Sequence, residues 1–468
     1  MYFIHYFFLV NFNIYLNIML SLTNTKGSLY VGNMPTTQIY DINLSDYSSD
    51  LTTPNGKGYI NISLPKNTIN YITNDLDINH YSPLLAGLNG SVNALTKDAS
   101  GNLYAGGTFT STVGGAPNTL NYIAKWDGLA WSPLGFGLNG TVNALTMDAG
   151  GNLIAGGSFT STWSAGTTIA TLKYIAKWDG LAWSNLGAGL NGFVNALTKD
   201  ASGKLFAGGQ FTADGNVVTS LNRIAKWDGL TWSPLGFGLN GTVNALTMDA
   251  TGNLYAGGSF TSTVGGAANS LNRIAKWAGL AWSPLGSGLN NTVNALTMNG
   301  GNLYAGGQFT TTSNGVTSLN YIAKWDGTTS SWSALGVGLN STVSALTKDA
   351  SGNLYAGGQF WATSNNVTVL NRIAKWDGLA WSPLGSGLNS NVNALTMDAS
   401  GNPIAGGQFS AGVGNVISLN YVCKIILTPL NIFIVDISVN SKFLNNLYKS
   451  QTLSANVTNN SICYSQKM

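Results

Sequence analysis

The chain has 468 residues, only 8% of them charged, with a net charge of +3, 44% apolar residues and 14 Trp. All 18 acidic residues are Asp and 59 residues are Gly, which argues against a helical protein, because Glu is among the better helix formers and Gly among the worst. The apolar fraction argues against disorder, and the scattered basic residues, with no basic run, argue against a nucleic-acid partner.

Residues 1–22 are mostly apolar and contain no Lys, Arg, Asp or Glu. The segment reads as a signal sequence or membrane anchor. Against that, it lacks a basic start and is interrupted by Asn11, Asn13 and Asn17; the alternative is an extension preceding a start at Met19 or Met34. Residues 23–79 are a flank rich in Asn, Thr and Ile with no repeat. Tyr81-Ser82-Pro83-Leu84 then stands alone as one strand-like run, matching Trp131-Ser132-Pro133-Leu134 further on.

From there the chain repeats. Ala-Gly-Gly followed one residue later by Phe begins at Ala105, Ala155, Ala207, Ala256, Ala305, Ala356 and Ala405, in steps of 49 to 52 residues. Such a period is that of propeller blades. One unit holds four runs: Val142–Met147, residues 153–159, Tyr174–Trp178 and Trp183–Leu186. Gly, Asn and Asp separate them, which is strand-and-turn chemistry. The first run uses the small residues Ala144 and Thr146, as a strand crowded at an axis would. The fourth carries Pro at 83, 133, 234, 284 and 383, and Pro, having no N–H, belongs on a sheet edge. Trp pairs such as Trp126/Trp131 and Trp178/Trp183 are expected between blades.

After the sixth full unit come three runs only, Val392–Met397, Pro403–Phe409 and Tyr421–Lys424. The lone N-terminal run completes them. The sequence therefore predicts an all-β fold over residues 80–427: a seven-bladed β-propeller of four-stranded blades, closed by an N-terminal outer strand. Closure removes the open sheet edge. Residues 428–468 form a tail in which Asn431–Val439 reads as a strand.

Leu-Tyr-Ala-Gly-Gly at 103–107 resembles the strand-ending diglycine of kelch repeats, and Trp325-Asp326-Gly327 through Trp332 is similar to the kelch aromatic turn. The longer phrase, Ile-Ala-Lys-Trp-Asp-Gly to Val-Asn-Ala-Leu, resembles the kelch-like propellers of fungal cortical polarity markers and of bacterial surface repeat proteins, over residues 81–427. The resemblance implies binding or scaffolding at a cell surface. A propeller oxidase with kelch-type repeats holds copper through His, Tyr and Cys; the only His here are His5 and His80, both read as outside the blades, so that activity is not implied.

No catalytic, cofactor or metal site is expected. The two cysteines, Cys423 and Cys463, cannot form a disulfide framework. Asp98 and its equivalents, and Asp127 and its equivalents, read as turn residues rather than a carboxylate ring or Ca²⁺ loops. Seven Lys share one position: 125, 177, 226, 276, 324, 375 and 424. They read as paired with Asp or solvated, the alternative being a ring for an anionic polymer. Asn89, Asn139, Asn240, Asn290, Asn340 and Asn366 begin glycosylation sequons, but the first five also occupy tight turns, where Asn-Gly is favoured anyway. Residues shared by every blade solve shared packing, so partner contacts are expected where blades differ, in the loops between the second and third runs. Trp163 and Trp361 stand there off the repeat and are the candidate binding residues.

The leading expectation is a monomeric, non-catalytic interaction module, extracellular or cell-surface, with a protein partner. A lectin-like propeller binding glycans is the alternative, and a propeller enzyme a more distant one. Membrane association is expected only through residues 1–22. A cytoplasmic location follows if that segment is an extension.

Overall fold

The computed structural model describes residues 80–163, 171–413 and 418–427; elsewhere it describes only the backbone of short strands, such as Asn17–Thr23 beside Lys26–Gly32. The readings of residues 1–22, the 23–79 flank, Cys463 and most of the 431–439 strand lie outside the described residues. The chain divides into two units, residues 76–429 and a second made of 1–75 with 430–468.

Residues 80–427 form seven four-stranded antiparallel sheets, and the protein is a seven-bladed β-propeller. Blade one comprises Val92–Lys97, Leu103–Gly107, Ile123–Trp126 and Trp131–Pro133, from axis to rim. Blades two to six repeat that order. Blade seven has Val392–Met397, Pro403–Gly407 and Val422–Ile426, and its outermost strand is His80–Pro83, which precedes blade one in the chain; His80, read from the sequence as outside the blades, is thus in one, because the strand ladder extends to its pairing with Ile426. Cys423 pairs with Pro83 and Ile425 with Tyr81. The expected closure is therefore observed.

The second strand explains the diglycine. It is buried along its whole length in most blades, because neighbouring blades cover both its faces. A Cβ on Gly156 would stand 2.4 Å from Val194 Cγ1 of the next blade, and one on Gly157 would stand 2.0 Å from Thr141 O of the adjacent strand. The pairing shifts register between Val142 and Ala144, which brings the Thr141 carbonyl over the glycine. Close approach, not turn formation, requires Gly here.

The apolar cores lie between blades. In one, Tyr255 and Ile274 of blade four pack with Val293, Phe309 and Trp332 of blade five. The cluster that closes the ring joins Ile404 and Val422 of blade seven to Val92, Leu103 and Phe109 of blade one. The Trp pairs pack tilted against each other, with ring centroids 5.2 to 5.5 Å apart. The fourth-strand member also reaches back: Trp183 Nε1 donates to Leu134 O of the preceding blade at 2.9 Å, and Trp332 Nε1 to Leu285 O at 3.0 Å. In blade seven Tyr81 takes the same place, and its hydroxyl donates to Leu384 O. Cys423 is buried, and burial pushes its thiol pKa up.

Candidate binding face

The loops joining second to third strands and those joining blades stand on one face, and a repeated Asn fastens them together. Asn89 Oδ1 accepts the N–H of Thr110 at 2.8 Å and of Ser111 at 3.0 Å, while its Nδ2 donates to Thr110 Oγ1 at 3.1 Å. Asn191 and Asn389 accept the same pair of N–H groups. Neither begins a sequon, so the clamp alone is sufficient reason for Asn at this position.

Trp361 is 47% exposed on blade six, and its backbone N–H donates to Asn340 Oδ1 at 3.0 Å. Trp163 is half-buried on blade two, and its backbone N–H donates to Gly137 O at 3.1 Å. The two occupy different repeat positions on non-adjacent blades, so the structure does not bring them into one site. Other apolar side chains share this face: Phe136 and Phe237 between blades, and Val218, Val316 and Val367 in the variable loops, all exposed.

One position on this face was not singled out in the sequence. The residue before each third strand is Tyr122, Tyr174, Arg223, Arg273, Tyr321, Arg372 or Tyr421, and all seven have φ between 69° and 74°. Bulky residues rarely adopt such a backbone. The signal was the recurring Leu-Asn-Tyr or Leu-Asn-Arg, which reads as an ordinary strand start until the dihedral angles are known.

The opposite face carries the short hairpins. Asp98 accepts hydrogen bonds from Ser100 N, Asn102 N, Asn102 Nδ2 and the Tyr104 hydroxyl, at 2.7 to 3.2 Å. Burial opposes its charge, but these donors outweigh burial and its pKa is lowered. In turn, burial and the Asp98 charge push Tyr104 up to about 12. Asp127 accepts the N–H groups of Ala130 and Leu129, both at 2.8 Å, and these lower its pKa. Both repeated Asp positions are thus turn-formers.

One of the repeated Lys forms the expected Asp pair, and others lie against an aromatic ring as well. Lys424 pairs with Asp398 at 2.5 Å. In four other blades the ammonium lies over the cross-strand aromatic ring, as Lys125 does over Tyr104 at 5.9 Å. Antiparallel register places the ring beside the Lys, and the turn Asp turns inward to backbone N–H groups instead. This face also exposes Leu129, Leu181, Leu230, Leu280 and Leu379 at its turns, by 79 to 92%.

The turn carboxylates make stability depend on acid. Their folded pKa values lie below the ordinary 3.8, so their contribution is complete above that value and is lost as pH falls through the folded ones. The melting temperature is expected to hold from pH 7 to about 5 and to drop steeply below 3.8. Circular dichroism melts across this range check it; an unchanged midpoint at pH 2 would contradict the turn role.

At the axis, Asn and Ala side chains of the first strands line a cavity of about 210 Å³. Asn195 Nδ2 donates to Asn244 Oδ1 at 3.4 Å, and Asn393 Nδ2 to Asn93 Oδ1 at 3.3 Å. The lining is uncharged and offers no general acid or base. Among the described residues no three His, Cys, Asp or Glu side chains converge to hold a metal ion.

No family model matches the chain, and no curated protein matches it. Solved structures do. The extracellular domain of a one-component-system protein from B. thetaiotaomicron is similar at 13% identity and TM-score 0.46, over 88% of this chain and 52% of that one, so this chain spans about half its length. The WD40 β-propeller domain of Doa1 is similar at 12% identity and TM-score 0.40, over 74% of this chain and 96% of that one. YCF48 bound to D1 peptide is similar at 14% identity and TM-score 0.43, over 73% and 94%. At these values the likeness concerns architecture alone.

Proposed function

We propose that this chain is a non-catalytic interaction module that holds a protein partner on its loop face through the variable loops between second and third strands. The observation that carries this reading is the concentration of blade-to-blade differences and exposed apolar side chains on that face, Trp361 and Phe237 foremost. The hairpin face repeats nearly the same surface in each blade, and a repeated surface discriminates partners poorly. Exposed aromatic residues are the usual anchors of protein contacts.

The test is direct. A photo-crosslinking residue at position 361 should capture a protein, while one at position 280, on the hairpin face, should not. With the captured protein titrated by calorimetry, W361A should weaken binding by about 2 kcal/mol, on the scale of an interface anchor, and leave the melting temperature unchanged. The half-buried Trp163 should matter less to binding. Capture through position 280 alone would refute the assignment of the face. Trp361-dependent binding of a free oligosaccharide would make the site lectin-like instead.

The location proposed is extracellular or cell-surface, resting on the apolar, charge-free residues 1–22. N-terminal sequencing of the native protein checks whether that segment is removed.

A further inference from the structure

The propeller sorts its charge by face. Of twelve Asp in residues 81–427, eleven sit in the hairpins and are balanced there by eleven Lys. The loop face has Lys173, Arg223, Arg273 and Arg372 against Asp214 alone. The Asp214 carboxylate is already engaged by the N–H groups of Asn216, Val218 and Thr219, each at 3.0 Å. The propeller's whole positive excess therefore stands on one face.

Three of those cations hold a position that disfavours them. Arg223, Arg273 and Arg372 have φ of 74°, 73° and 74°, a left-handed backbone in which a side chain is strained relative to Gly. Gly is common in the turns of this chain yet occupies this position in no blade. The Tyr equivalents are explained by packing, since Tyr122, Tyr174, Tyr321 and Tyr421 join the apolar cluster of the next blade. The Arg side chains are half-buried at the same place and carry a charge that such an apolar cluster does not call for. Arg223 Nη1 donates to Gln210 O, and Arg273 Nη1 to Ser259 O. Those bonds aim each guanidinium and leave further N–H donors. Among the described residues the one ion pair is Lys424 with Asp398, on the other face.

Arg223 and Arg273 occupy adjacent blades, and the exposed Phe237 lies on the loop between those blades. Asn222 Nδ2 donates to Phe237 O at 3.0 Å, which ties that loop to the Arg223 backbone. We propose that Arg223, Phe237 and Arg273 form a docking site for an acidic protein segment, one that presents carboxylates on either side of an apolar side chain. Guanidinium forks match carboxylates, the ring supplies the apolar anchor, and the absence of a free carboxylate on this face removes the repulsion such a segment would meet elsewhere. Four cations are few for a nucleic acid, whose binding grows with phosphates neutralised.

This proposal rests on the loop-face reading and names the partner's chemistry. The probe is a fluorescein-labelled peptide of alternating Asp and Phe, followed by anisotropy against the full chain, with an Asn-for-Asp peptide and a single-stranded oligonucleotide alongside. The Asp peptide should bind at low salt and weaken about tenfold in R223Q/R273Q, in 300 mM NaCl and on Asn replacement. R223G/R273G should lose the same binding while melting no lower than the parent, because Gly relieves the backbone; that pair separates lost contact from lost folding. K97Q/K199Q, on the hairpin face, should bind as the parent does. Equal affinity for the Asn peptide, tighter binding of the oligonucleotide, or loss only in K97Q/K199Q would overturn the proposal. If the acidic peptide fails while crosslinking at position 361 still captures a protein, the docking chemistry falls and the loop-face reading stands.

Discussion

Deletion of residues 1–84 is expected to lower the melting temperature far more than deletion of residues 1–79. The longer deletion removes His80–Pro83, the outer strand of blade seven. It also removes the buried side chains of Tyr81 and Leu84 and the hydrogen bond from the Tyr81 hydroxyl to Leu384 O. Tyr81 packs with Leu384, Leu388 and Cys423, whereas Leu84 packs with Leu88 and Val92, so one short strand touches blades six, seven and one. Truncating one large buried apolar side chain costs about 2–5 kcal/mol, and two are lost here together with a strand ladder. Val422–Ile426 would become an open edge, prone to pair with other chains. Both truncations can be followed by calorimetry, with aggregation read by light scattering. Returning residues 80–84 through a flexible linker after residue 427 should restore stability. Equal midpoints for the two deletions would mean that the ring does not depend on its closing strand.

The second large effect is expected from one added methyl group. G258A places a Cβ 2.0 Å from Thr242 O, and G257A places one 2.5 Å from Val293 Cγ1 of the next blade. A carbonyl held in a sheet cannot step aside, whereas a Val side chain can shift a little. Overpacking of this kind costs about 1–3 kcal/mol and occasionally more; G258A belongs at the upper end and G257A below it. G327A is the control, since a Cβ there meets nothing within 4 Å and no positive φ opposes it. Urea denaturation of the three variants gives the comparison. If G258A were as stable as G327A, the diglycine would have to be explained by something other than close approach.

The repeat by itself determined a great deal of this architecture. Pro83 and its equivalents marked the rim strand, Asp148 and Asn152 marked a hairpin, and the lone Tyr81–Leu84 run marked the closure. Each of these is a local signal: a missing N–H, a side-chain cap, a match between segments. The Asn of the blade connections was legible as a turn residue but not as a clamp, because its partners lie some twenty residues away, as Asn89 and Thr110 do. Tertiary structure alone decided the rest. Antiparallel register set Lys125 over the Tyr104 ring. Backbone dihedrals made Arg223 and Arg273 a strained, retained position rather than a strand start. The stacking of blades put eleven Asp on one face and left the other almost free of them, although in the sequence acids and bases are interspersed. Trp163 and Trp361 looked equivalent as off-pattern residues, and only the fold separated them into a half-buried and an exposed side chain on distant blades. The physical reason is the same in each case. A repeat records what every blade must satisfy within itself, whereas a surface is made by residues that different strands and blades bring together.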